Sequence, residues 1–168
     1  LSWFHTFTGR SDRPLPTDPQ WSEWRRQQVT ALVRRMAALI RSEKPQVVLS
    51  ADVVCSAKPL LPDENNVFYR SVLQDWTGWM SNGYLDLALG MAYREESDPA
   101  LAAEFDQWQQ FLLDHACGRR AAAITGGYIN LLQHTLVQLH RVRQSGADVI
   151  SLFSHATPTS QGVGSETF

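Results

Sequence analysis

Eight residues with chemical potential sit where short apolar runs give way to polar sequence. Asp52 follows Val47-Val48-Leu49-Ser50-Ala51 and precedes Val53-Val54. A carboxyl buried in such company is pushed towards the proton affinity of a general acid; the competing account is a turn aspartate capping nearby backbone N–H groups. Tyr93 and Arg94 end a second run. The tyrosine offers a flat face with a hydroxyl handle, and the arginine offers charge, although core packing with the hydroxyl at the surface explains Tyr93 equally well. Glu95 and Glu96 come next, the one adjacent carboxylate pair at these junctions, and read most simply as solvated loop charge. Tyr128 and Asn130 leave a third run after Gly126-Gly127. Asn130 could bind ligand hydroxyls, cap the next helix, or do both. His155, beyond a fourth run, could carry a proton or donate to a ligand.

Other chemistries find no support. The histidines at 5, 115, 134, 140 and 155 form no HxH or HExxH spacing, so no metal is expected. No nucleophile elbow and no phosphate-cradling glycine loop after the first strand are present, so no cofactor is expected either.

The elements that must position these residues repeat as a unit of amphipathic helix followed by short apolar strand. Residues 1–18, with Gly9, Pro14 and Pro16, read as loop. Asp18-Pro19 is an N-cap followed by proline at the first helical position. Leu32, Val33, Met36, Leu39 and Ile40 then mark one helix face before Pro45 ends it. Strand 47–54 follows. A second helix carries Phe68, Val72, Trp76 and Trp79 and stops at Asn82-Gly83. Asp86 opens the next strand, 85–93, at the end away from the candidate residues, and reads as a structural contact. Asp98-Pro99 starts a third helix with Leu101, Phe105, Trp108 and Leu112 inward, then strand 121–128. The fourth helix presents Leu132, Leu136, Leu139 and Val142 and leads to strand 148–153; residues 156–168 read as a flexible tail.

Alternating helices and two-sided apolar strands predict a parallel sheet covered by helices. A doubly wound sheet and a (β/α)8 TIM-type barrel both fit. The small strand residues (Ala88, Gly90, Ala92, Ala121 to Ala123, Gly126, Gly127) suit a crowded barrel interior and favour the barrel, of which four units would be about half. The fold expected is therefore α/β, a partial barrel over residues 19–155. The 168-residue length suits one domain and 43% apolar residues suffice for a core. A net charge of −2 argues against nucleic-acid partners, and no apolar run is long enough to span a membrane. Cys55 and Cys117 are expected free.

Particular motifs also resemble a known family. Phe7-Thr8-Gly9-Arg10, Asp12-Arg13-Pro14, the segment WSEWRRQQV at 21–29 and Lys44-Pro45 before VVLSADV are similar to the glycosyl hydrolase-like family 10 domain. So are Gln74-Asp75-Trp76, Trp79, Gly83, Leu85-Asp86, Met91-Ala92-Tyr93, Gly127-Tyr128-Ile129-Asn130 and Leu152-Phe153-Ser154. The resemblance implies a (β/α)8 barrel, usually bacterial and often exported, cleaving glycosidic bonds of polysaccharide or cell-wall glycan. On that reading the chain holds strands five to eight, and the missing N-terminal half of the barrel is its partner. Asp52 becomes the expected acid/base contributor, with Tyr93, Arg94, Tyr128, Asn130 and His155 positioning the glycan. Gly90-Met91-Ala92-Tyr93-Arg94 departs from the family's commoner Pro-Met-Asn-Tyr-Lys, which favours the alternative of a non-catalytic carbohydrate-binding or scaffold protein.

Overall fold

A computed structural model describes residues 1–154. The elements run α1 (Ser2–Thr8), α2 (Pro19–Glu43), β1 (Ser50–Val54), α3 (Val67–Arg70), α4 (Trp76–Ser81), β2 (Leu87–Met91), α5 (Pro99–Asp114), β3 (Arg120–Gly126), α6 (Leu132–Gln144) and β4 (Ser151–Phe153). The four strands form one parallel sheet in the order β1-β2-β3-β4. This order has no switch point, which separates it from a doubly wound sheet.

The predicted caps form. Asp18 accepts from Trp21 N at 2.9 Å at the start of α2, and Asp98 accepts from Ala100 N at 2.8 Å at the start of α5. Each satisfies helix N–H groups that have no partner within the helix. At the base of the sheet, Asp86 acts as the structural contact expected of it. Its carboxylate accepts from Leu49 N at 2.8 Å while its own N–H donates to Leu49 O. Because Asp86 takes the Leu49 groups, strand pairing starts at Ser50, and the expected strand at 47–54 is shorter.

Three further expectations are corrected. Residues 1–18 are not all loop: α1 forms because Phe4, fully buried, packs edge-on against Trp21 at 5.0 Å and Trp24 at 5.8 Å. The helix expected around 68–82 is two, broken at Leu73, whose φ is +64°. The break frees Gln74 to reach edge strand β1, where its side chain accepts from Val54 N at 3.0 Å and donates to Asp52 O at 3.2 Å. Edge strands carry unpaired backbone groups that need such cover. Finally, Leu136 of α6 faces outward; Thr135, Gln138 and Val142 are the buried residues of that helix.

The core lies between the sheet and its helices. Val53, Ala88, Ala92, Ala121 and Ala123 are buried against Phe68, Trp76, Phe105, Trp108 and Leu112. So the small strand residues at 88, 90, 92, 121 and 123 do not line a barrel interior as expected; they admit bulky helix side chains. At Gly90 an added Cβ would lie 2.5 Å from Leu112 Cδ1 and 2.9 Å from Cys55 Sγ. Gly90→Ala should therefore destabilise by about 1–3 kcal/mol through overpacking, read as a lower urea midpoint at unchanged m-value.

The opposite sheet face carries Ser50, Asp52, Val54, Leu87, Leu89, Met91 and Phe153 by register. None of these seven is buried, whereas Ala122, Ile124 and Gly126 at the centre are. On α2 the expected apolar face is only partly used: Val29 and Val33 pack on the core, but Leu32, Met36 and Leu39 are 44–62% exposed. No helix among the described residues is long and apolar enough to cross a membrane.

Candidate functional site

At the C-terminal ends of β2, β3 and β4 three aromatic rings converge. Tyr93 and Tyr128 meet edge-on with centroids 5.6 Å apart, Tyr93 and Phe153 lie 5.7 Å apart, and Tyr128 meets Phe153 at 6.0 Å and 89°. Edge-to-face geometry of this kind is the favourable one for aromatic quadrupoles. Gly126 lies beside the cluster, where an added Cβ would meet Ile129 Cγ1 at 3.1 Å and the Tyr93 ring only at ordinary contact distance. Both tyrosines are half-buried and Phe153 is 50% exposed, leaving a platform open on the helix-free face. Burial pushes the Tyr93 hydroxyl above its ordinary pKa, and the Asp52 carboxylate and Tyr128 add to that shift. The phenol therefore stays a neutral hydrogen-bond donor across the physiological range. Phe153 was not foreseen; its position at the end of the last strand, with an aromatic side chain, was the available signal.

Arg94 is a clamp and its donors are engaged within the protein. Its guanidinium donates to Glu104 at 2.9 Å, to Tyr93 O at 3.0 Å, and to Cys55 O and Ala57 O at 3.1 and 2.7 Å. These bonds tie the loop after β1 to the loop after β2 and to α5. Asn130 works similarly between the loops after β2 and β3. Its amide oxygen accepts from Glu96 N at 2.8 Å, and its nitrogen donates to Arg94 O and Gly126 O at 2.9 and 3.1 Å. The proposed cap role for Asn130 is corrected, because α6 begins after Leu131 without any side-chain cap.

Glu96 is likewise not a solvated loop charge. Its carboxylate forms a two-pronged pair with Arg141 at 2.7 and 2.8 Å and accepts from Gln138 at 3.1 Å, with the side chain only 9% exposed. Fork-to-fork pairing of this kind fixes geometry as well as charge. Gln138 and Arg141, three residues apart on α6, reach into the rim from a helix. That partnership depends on the tertiary approach of α6 to the β2 loop and leaves no mark in local spacing.

Asp52 lies elsewhere than expected. Strand β1 continues to Val54, so Asp52 pairs with Leu89 in mid-strand and is exposed, rather than buried at the strand–loop junction. It shares the helix-free face with Tyr93. His155 falls outside the described residues. Trp3 and Phe7 stack at 6.3 Å on the exposed side of α1, and His5 bonds Asp12 O at 2.8 Å. Trp76 and Trp79 are buried core residues, as expected of their helix stripe. No group of three or more His, Cys, Asp or Glu that could hold a metal ion occurs among the described residues.

The arrangement can stack a ring-shaped polar ligand on the Tyr93 or Phe153 face, with the Tyr128 ring standing edge-on beside it. A family model described as glycosyl hydrolase-like 10 matches residues 2–133, covering α1 to β3 and the loop that carries Tyr128 and Asn130. No curated protein matches the chain.

Proposed function

This chain belongs to the glycosyl hydrolase-like 10 family, and we propose that it supplies the glycan-holding strand-end rim of a (β/α)8 barrel glycosidase. The observation that carries the reading is the Tyr93–Tyr128–Phe153 platform on three adjacent strand ends, where parallel barrels place their sites. The substrate is a polysaccharide or cell-wall glycan. The helix-free sheet face becomes barrel interior when a further set of β/α units, in sequence preceding this chain, closes against β1 and β4. The 4-stranded parallel sheet in sequential order and the uncovered apolar residues Leu87, Leu89 and Met91 support that closure. Arg94 and Asn130 position the rim by cross-linking its loops and do not spend their hydrogen bonds on substrate.

Glycosidic hydrolysis by the usual route needs two carboxylates flanking the bond. Asp52 is the contributor proposed here, because it stands on the same face as Tyr93; the other belongs to the preceding units. In the natural full-length protein, Asp52→Asn should lower the release of reducing ends at least about 100-fold. Unchanged turnover and an unchanged pH profile would remove Asp52 from the mechanism. A second reading, glycan binding without hydrolysis, is favoured by the locking of Glu96 into its pair with Arg141. Glycan binding with no reducing ends released by the natural protein would decide for it.

A further inference from the structure

The outer flank of α2 is an apolar stripe without cover among the described residues. On a helix that turns about 100° per residue, Val29, Val33 and Ala37 share one face, and Thr30 and Arg41 lie to one side of it. Val29, Val33 and Ala37 pack on the core. Thr30 and Arg41 meet α4: Trp79 Nε1 donates to Thr30 at 2.8 Å, and Arg41 donates to Gly83 O just past the end of α4. Because α4 connects β1 to β2, that side of α2 is the β2 side. Leu32, Met36 and Leu39 fall on the other flank, towards the free edge of β1. All three are exposed, and so are Val47 and Val48 where the chain passes from α2 to β1.

The same flank already carries a helix at its upper end. Trp21 lies in line with Leu32, Met36 and Leu39 to within about 60°. There Phe4 of α1 packs edge-on against Trp21 at 5.0 Å. The exposed stripe thus continues an existing helix–helix contact, and the helix that makes this contact precedes α2 in the chain. Single apolar residues on a surface are ordinary, whereas a run in line with a buried contact marks an interface. The 4-3 spacing of Leu32, Met36 and Leu39 supplies the ridge that another helix packs against. Arg35 borders the stripe, exposed and without an ion-pair partner among the described residues. A second copy is a poor occupant, because a two-fold antiparallel pair centred on Met36 sets Arg35 against its own mate, and like charges so placed repel.

We propose that the outer flank of α2 docks an amphipathic helix from the β/α unit that precedes β1 in the closed barrel. Its apolar stripe lies on Leu32, Met36 and Leu39, and an acidic residue stands beside Arg35. The identity of that helix rests on the barrel reading above; the docking face rests on α2 itself. The test is thiol accessibility in the natural full-length protein. Met36→Cys and Ala38→Cys are each combined with Cys117→Ser, and maleimide labelling is followed by peptide mass. Ala38 is exposed on the side of α2 away from the sheet and reports free access. The thiol of Met36→Cys should label at least about tenfold more slowly than that of Ala38→Cys in native buffer, and equally fast in denaturing urea. Leu39→Cys repeats the comparison at a second position on the stripe. Equal native rates at the stripe and at Ala38→Cys would overturn the proposal. Protection that fades on dilution would overturn it too, since it would mark a second copy as the occupant. A soluble cell-wall oligosaccharide titrated into the same Met36→Cys protein keeps the two readings apart. Glycan binding with an unprotected stripe would sink the docking face alone, and a protected stripe without glycan binding would sink the glycan reading alone.

Discussion

Trp108→Ala is expected to lower the unfolding free energy of the natural protein by about 4 kcal/mol, the cost of a large cavity in a close-packed core. Trp108 is fully buried and meets Phe68 at 6.3 Å and Phe111 at 5.4 Å, so truncation strips contacts from the centre of the aromatic cluster. Its indole N–H also donates to Ala57 O, which Arg94 holds as well. Trp108→Phe separates the two contributions. It should retain most of the packing and lose roughly 1 kcal/mol for the hydrogen bond. Hydrogen exchange should then show faster exchange in the loop after β1 with the core strands still protected. Equal loss in the two variants would mean that packing is unimportant there.

Glu96→Ala should cost about 2 kcal/mol, because it removes the two-pronged partner of Arg141 and leaves that guanidinium with Asp106 alone, at 3.0 Å. The pair it breaks is two-pronged and 9% exposed on the glutamate side, which sets it apart from surface ion pairs worth little. Glu96→Gln, which keeps an acceptor but loses the charge, should recover part of the stability. Urea unfolding of the two variants measures this directly. Glu96 N donates to Asn130, which in turn binds Arg94 O, so loosening Glu96 also loosens the backbone beside Tyr93. Glycan affinity should fall with stability in Glu96→Ala.

Local signals in the sequence carried the helix starts at Asp18-Pro19 and Asp98-Pro99, the alternation of helix and strand, and the junctions where Tyr93 and Tyr128 lie. Caps and periodicity act over a few residues, so the sequence displays them directly. The break at Leu73 was hidden because its cause is distant: Gln74 bonds Asp52 and Val54, about twenty residues earlier. Asp52 was misplaced for a related reason, since the end of β1 is set by pairing with β2 through Val54 and Met91. Glu96 reads in the sequence as loop charge and Asn130 as a cap or ligand residue, because their association with Arg141 needs the folded approach of α6 to the β2 loop. Ala88, Gly90, Ala92, Ala121 and Ala123 face the helices, whereas Ala122 and Gly126 lie on the opposite face; smallness tells of crowding and not of which neighbour crowds.

The central proposal is that the strand-end rim, with its three-ring platform, holds the glycan, and one titration addresses that most directly. A soluble cell-wall oligosaccharide is titrated into the natural full-length protein and into Tyr93→Ala, with the melting temperature of each recorded. Removal of the Tyr93 ring is predicted to weaken binding at least about tenfold, or 1.4 kcal/mol, with the melting temperature shifted by no more than a few degrees. Oligosaccharide affinity unchanged in a folded Tyr93→Ala protein would contradict the assignment of this rim as the glycan site.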